Sequence, residues 1–322
     1  MNTVFILFMF VLGLALTIKG GDFFVDASTW IAEASGIPKF IIGATVVSLC
    51  TTLPELLVSV MAAASGSIGI AVGNAVGSVT ANLGLIMGIS VVCMPGVVDR
   101  RQQALKYTMM AAAIALLLVS SLGGSLSTPG AVLLLMLFVA NIAESVISAK
   151  RSMGSGAEEA VEKPASDRRT VITNVVKFIL GVAGIVIGAR LLVDYGTKLA
   201  QLFGVPDSII GATLVAVGTS LPELVTTITA IVKKQASLSI GNIIGANIID
   251  LTLILPLCSL VSGKALPILR QNILLDMPFC FALVLMSILP PLLTKKFHKA
   301  QGVAMLVVYA AYIVLLCTGV AA

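Results

Sequence analysis

The chain has 322 residues, 58% hydrophobic and only 11% charged, with a mean hydropathy of +1.09. About a quarter of a soluble domain's residues are charged, so this composition excludes a soluble globular surface. The net charge of +5 does not point to nucleic acid, because the basic residues fall in short connections between apolar runs, where a positive-inside bias places them.

The runs are continuous rather than alternating, and each can cross a hydrocarbon core about 30 Å thick as a helix. Ten spans are predicted in chain order, at roughly 3–33, 38–64, 70–94, 104–122, 127–148, 172–201, 206–232, 238–262, 272–293 and 301–320. The first run lacks a basic leader and a clear cleavage site, and reads as a retained helix. One connection, 149–171, is hydrophilic, with the Gly, Ser, Pro and mixed charge of a flexible linker. It divides the chain into 1–148 and 172–322, five spans each. The five cysteines, all in apolar runs, read as small buried hydrophobes, and His298 in a basic loop has no partner for chemistry.

The two halves repeat. An offset of 168 residues aligns 36–84 with 204–252 without a gap. Pro38, Gly43 and Thr45 recur as Pro206, Gly211 and Thr213; Pro54 and Glu55 as Pro222 and Glu223; Gly73, Asn74 and Gly77 as Gly241, Asn242 and Gly245. Five spans is an odd number, so the second half enters from the opposite side and the repeat is inverted. With both termini extracytoplasmic, sixteen Lys/Arg fall on cytoplasmic connections and membrane ends, against Arg190, Lys198, Lys264 and Arg270 outside. The fold class is therefore an all-α, multi-pass cell-membrane protein of ten helices in two inverted five-helix repeats.

Intramembrane acids are functional candidates by default. Glu55 and Glu223 are repeat equivalents in mid-span without a basic residue at their depth, and Asp250 has Asn82 as its equivalent. A two-fold axis in the membrane plane brings these four together. Pro54 and Pro222 loosen the helices and free the carbonyls of Cys50 and Gly218. Thr51 and Thr52 share a helix face with Glu55, as Thr219 and Ser220 do with Glu223. Asn74, Ser78 and Asn82 form one stripe of the third span, with Asn242, Asn247 and Asp250 on or near its counterpart. Hard cations favour such all-oxygen surroundings. Asn74 and Asn242 read equally well as interhelical hydrogen-bond partners, and the glycines as close-packing positions. Glu144 and Asp276 read as interfacial, and Asp26 and Asp194 as helix-end residues.

GATVVSLCTTLPE (43–55) and GATLVAVGTSLPE (211–223), each followed by a GN..G segment, resemble the two α-repeats of the sodium/calcium exchanger family within the calcium/cation antiporters. The separations from Glu55 to Asn82 and from Glu223 to Asp250, 27 residues each, match that resemblance. It implies a central diamond of Glu55, Asn82, Glu223 and Asp250. It also implies hydroxyl ligands at Thr51, Thr52, Thr219, Ser220 and Ser78, carbonyl ligands at Ser48 and Ala216, and the first and sixth spans sliding past a fixed core. Cys50, Thr52 and Ala246 depart from the family pattern, where glycine, serine and serine are usual.

The resulting expectation is a secondary antiporter, not an enzyme, exchanging Ca²⁺ for Na⁺ at a midplane carboxylate site. Its partners are those ions and the lipid bilayer; no cofactor, nucleic acid or obligatory protein partner is implied. A Ca²⁺/H⁺ or K⁺-dependent antiporter is the nearest alternative. The hydroxyls favour Na⁺, since a proton carrier needs only a carboxylate. A cation channel is disfavoured, because channels usually assemble rings of charge from several subunits, and no nucleophile–base pair suggests a hydrolase.

Overall fold

The computed structural model describes residues 3–96, 100–155, 167–203, 218–263 and 265–318. Unbroken apolar sequence gives unbroken helix, because buried backbone in a membrane has no other partner. The elements in order are α1 (Thr3–Ser35), α2 (Lys39–Thr51), α3 (Leu53–Ala64), α4 (Ile68–Cys93), α5 (Arg100–Ser121), α6 (Thr128–Ser155), α7 (Arg168–Leu202), α8 (Leu221–Val232), α9 (Ala236–Ser262), α10 (Asn272–Thr294) and α11 (Lys299–Thr318). Two short strands, β1 (Ser125–Leu126) and β2 (Leu266–Pro267), pair antiparallel.

Eight of these helices are long and apolar enough to cross a membrane, and α2 with α3 would make a ninth across a 46° bend. Only the second part of the run predicted at 206–232 is described, as α8; the rest, including Ala216, lies outside the described residues. The linker is shorter than its composition suggests. Helix α6 runs on to Ser155 and α7 begins at Arg168. The Asp167 carboxylate accepts from the backbone N–H groups of Arg169 and Thr170 and from the Thr170 hydroxyl, a helix N-cap. The Thr170 hydroxyl and these amides hold that carboxyl below the usual aspartate range.

Helices α1 and α7 pack along most of their lengths through small residues. A Cβ added at Gly20 would lie 2.7 Å from the Ile185 backbone nitrogen, and one at Gly184 would lie 3.0 Å from the Gly20 Cα. Their outer faces, with Phe8, Val11, Ile18, Ile179 and Ile187, are exposed and apolar, as lipid contact demands. Helix α9 is the most enclosed, with 83% of its apolar window buried. It meets α2 at Gly43 and Gly241, where added Cβ atoms would strike the carbonyls of Leu238 and Phe40. The packing role expected of Gly241 and Gly245 is therefore observed. Gly73 and Gly77 have no described atom opposite them.

Two acids expected at the interface are placed differently. Asp276 is 2% exposed and accepts from Asn272 Nδ2 (2.6 Å) and from the Tyr312 hydroxyl (3.1 Å). Glu144 pairs at 2.8 Å with Lys106, a residue the charge count had set at a membrane end but which is 1% exposed. Lys106 also donates to the Asn141 carbonyl and side chain and to Ser145. Asp276 is held by Asn272 of its own helix and Tyr312 of α11, and Glu144 by Lys106 of α5. The cysteines are all free; Cys258 and Cys280 are buried as expected, whereas Cys93 and Cys317 are exposed on the apolar exterior.

Candidate functional site

The site is built where four helices are interrupted. The chain turns at Thr52 (φ −82°, ψ −1°), just before Pro54. Ser220 adopts nearly the same conformation (φ −84°, ψ 8°) before Pro222. Proline cannot donate and crowds the preceding turn, so the break follows from the Leu-Pro-Glu sequence in each case. Helix α4 widens to π geometry at Asn82–Met87 and α9 at Asp250–Ile254. Such wide turns often mark functional positions. Here each begins on the side chain predicted to face the site.

Glu55, Glu223, Asp250 and Asn82 are all at most 1% exposed. The three carboxylates lie close enough for mutual repulsion to be felt between Glu55 and both other acids, and between Glu223 and Asp250. Asn82 Nδ2 donates to Asn247 Oδ1 at 3.1 Å. Ser78, one turn before Asn82 on α4, is also buried.

The hydroxyls do not serve the glutamate of their own half. Thr51 and Thr52 precede the 46° bend, so the helical spacing that would align them with Glu55 is broken. Both instead face Glu223, with Thr52 Oγ1 3.3 Å from Glu223 Oε1. Thr51 Oγ1 also donates to Asn242 Oδ1 at 3.1 Å. The other half mirrors this: Ser220 lies beside Glu55, and Thr219 Oγ1 donates to Asn74 Oδ1 at 3.2 Å. Asn74 Nδ2 donates in turn to the Glu55 carbonyl and to Ser59 Oγ. The Ser48 carbonyl, expected as a ligand, already accepts from the Thr51 hydroxyl (3.3 Å) and the Thr52 amide (2.9 Å).

What marks the site chemically is a surplus of acceptors. Both carboxylate oxygens of Glu55 and of Asp250, Oε2 of Glu223, Oδ1 of Asn82 and the hydroxyls of Ser78 and Ser220 are buried without a hydrogen-bond partner. A buried charge that is neither paired nor hydrogen-bonded costs several kcal/mol, and this many in one place calls for a cation. Among the described residues no three Asp, Glu, His or Cys side chains are grouped tightly enough to hold a metal by themselves. A bound ion must therefore take several ligands from neutral oxygens. Thr226 and Thr227 carry two more buried, unpartnered hydroxyls. The sequence reading passed over them, although they stand three and four residues past Glu223 on the same helix.

The model of the sodium/calcium exchanger protein family matches residues 5–146 and 173–318. The sodium/calcium exchanger MaX1 of Methanosarcina acetivorans is 31% identical, over 95% of this chain and 96% of its own length. An uncharacterized membrane protein of Methanocaldococcus jannaschii is 35% identical, over 93% of this chain and 94% of its own. The structure of the sodium-calcium exchanger NCX_Mj soaked with Na⁺ superposes with a TM-score of 0.84 at 32% identity, over 98% of this chain and all of that one. The chain belongs to the sodium/calcium exchanger family.

Proposed function

We propose that Glu55, Glu223, Asp250 and Asn82, with the hydroxyls of Thr51, Thr52, Ser78, Thr219 and Ser220, form the transport site at which this protein exchanges Ca²⁺ for Na⁺. The observation that carries this reading is the cluster of buried carboxylate, amide and hydroxyl oxygens without a hydrogen-bond partner, drawn from both halves of the chain. Both ions are hard cations that take carboxylate, hydroxyl, carbonyl and amide oxygens. They compete for the same acids, and that competition makes transport an exchange. Ala216 stays in the proposed ligand set on the resemblance alone; Ser48 would contribute its carbonyl only as that oxygen's second interaction.

The ten-span inverted topology, with both termini outside, draws support from the connections that touch. β1 and β2 join the fourth and eighth connections, both assigned outside. The Phe297 amide donates to the Gly96 carbonyl at 2.8 Å, joining the third and ninth, both assigned inside. Lys39 donates to Gln235 at 3.0 Å, joining the first and seventh, also inside. Each contact links connections assigned to one face. In the proposed cycle α1 and α7 move together as a gating pair against the remaining helices, opening the site to one side at a time. Their small-residue contact makes them a rigid unit. A tight crevice lined by Phe24, Val182, Ile185 and Val186 of that pair, and by Cys50, Thr51 and Pro222 of the core, marks the sliding surface.

The test is ⁴⁵Ca²⁺ uptake into proteoliposomes under separately imposed Na⁺, K⁺ and pH gradients. Uptake driven by an outward Na⁺ gradient alone supports the reading. Uptake driven only by a pH gradient, in the absence of Na⁺, makes the protein a Ca²⁺/H⁺ antiporter.

A further inference from the structure

If α1 and α7 slide past the core, something must set which side the site faces when it holds no ion. Three carboxylates on the second half of α1 are tied to core lysines. Lys233, at the end of α8, lies 2.7 Å from Asp26 Oδ1 and 3.5 Å from Asp22 Oδ1, and donates to the Asp22 carbonyl at 3.0 Å. Its side chain is only 24% exposed. Lys39, at the start of α2, lies 2.8 Å from Glu33 and donates to Gln235. Next to the Lys233 contacts α1 packs directly on α8: a Cβ at Gly21 would meet Thr229 Oγ1 at 2.8 Å. At this end the gating helix is tied to the core by these ion pairs.

At the opposite end, the described counterparts of Lys233 and Asp26 do not pair with each other. The repeat equivalent of Asp26 is Asp194, whose carboxylate lies 4.0 Å from Arg190 on its own helix. The equivalent of Lys233 is Ser65, which bonds the Ala62 carbonyl within its own turn. The equivalent of Lys39 is an acid, Asp207. Local backbone geometry is shared by the two ends, since Gly66 and Lys234 both have left-handed φ (82° and 56°). The charges are not.

We propose that Lys233 and Lys39, clasping Asp22, Asp26 and Glu33, form a one-sided ionic latch that biases the ion-free exchanger against opening at the Lys233 end, the proposed cytoplasmic side. Opening there breaks these contacts, whereas at the other end the described counterparts of Lys233 and Asp26, Ser65 and Asp194, share no ion pair to break. The proposal rests on the alternating-access reading above. Each partly exposed pair contributes modestly, and together they shift the two-state ratio about three- to tenfold.

The test uses spin labels at Ile18→Cys on α1 and Val232→Cys on the core, both on the lipid-facing exterior, in a chain with its five native cysteines replaced. Distances are measured in ion-free nanodiscs by double electron–electron resonance. Lys233→Gln, and independently Asp22→Asn with Asp26→Asn, should each raise the ratio of long to short distances about three- to tenfold, and Lys233→Arg should not. A ratio within about twofold of the parent in both neutralising variants overturns the latch. Because no ion is present, this result stands apart from transport; absence of Na⁺-driven ⁴⁵Ca²⁺ uptake in the unsubstituted protein would count against the transport reading instead.

Discussion

Around the candidate site the described parts of the two halves share local backbone geometry and differ in polarity. At an offset of 168 residues the helix breaks before the same Pro-Glu pair, turns through the same left-handed residue and widens at the same position of the next helix. The hydrogen bonds from Thr51 to Asn242 and from Thr219 to Asn74 are mirror events. The differences are concentrated at a few side chains. Asn82 occupies the position equivalent to Asp250, so the candidate site has three acids rather than two or four. Asn74 satisfies Ser59, whereas Asn242 Nδ2 and Thr227, at the equivalent positions, have no partner. Between the fourth and fifth spans lies the ion pair of Lys106 and Glu144, and in the second half Tyr312 at the position equivalent to Glu144 bonds Asp276 instead. Shared backbone geometry builds the cage, and the unshared polar residues decide its charge and what braces it.

The largest expected effect comes from removing what the halves share. Glu55→Ala and Glu223→Ala should each lower Na⁺-driven ⁴⁵Ca²⁺ flux more than about 100-fold, beyond the usual loss for a supporting residue, while the protein stays monodisperse in detergent. Near-normal flux in either variant would remove that glutamate from the site.

The braces should differ in strength. Glu144→Ala leaves the buried Lys106 ammonium without its counter-ion and should cost about 3–5 kcal/mol of stability, read as a lowered thermal unfolding midpoint. Tyr312→Phe removes one hydrogen bond to a carboxylate and should cost about 1.5–3 kcal/mol. Equal losses, or a larger one for Tyr312→Phe, would mean that the ion pair of Lys106 and Glu144 is not the principal tie of its helix pair.

The crossed arrangement of hydroxyls gives a sharper comparison. In a double-mutant cycle read by Ca²⁺ affinity, Thr52→Val should couple to Glu223→Gln by at least about 0.5 kcal/mol, and less to Glu55→Gln. The reverse order would put the hydroxyl back with the acid of its own half.

Asp250→Asn makes the central residues of the two halves alike. Na⁺/Ca²⁺ exchange should persist, and inhibition at low pH should weaken, because one proton-binding competitor and its charge are gone. The midpoint of inhibition should move to lower pH by on the order of one unit. No change in the pH profile would show that protons compete at the glutamates alone.

Much of this was legible in the sequence. Unbroken apolar runs dictate helices, and Pro-Glu and Gly-Asn pairs at a constant offset identify Glu55, Glu223, Asn82 and Asp250 without coordinates. Three features were not legible, each for a physical reason. Thr51 and Thr52 were assigned to Glu55 by helical spacing, but the helix that spacing assumes ends between them and the glutamate. Glu144 and Asp276 read as interfacial because they stand near span ends, and their partners on neighbouring helices, Lys106 and Tyr312, could not be read from spacing. The Lys233 pairs of the proposed latch join residues some two hundred positions apart at unlike repeat positions, so symmetry could not reveal them.

The central claim is that one cation site is assembled from both halves, with each half's hydroxyls turned toward the other's glutamate. An anomalous difference map from Sr²⁺-soaked crystals tests it most directly. The account predicts a peak within coordination distance, about 2.3–2.7 Å, of carboxylate oxygens from both Glu55 and Glu223. Peaks confined to one half, or found only outside the region bounded by Glu55, Glu223 and Asp250, would contradict it.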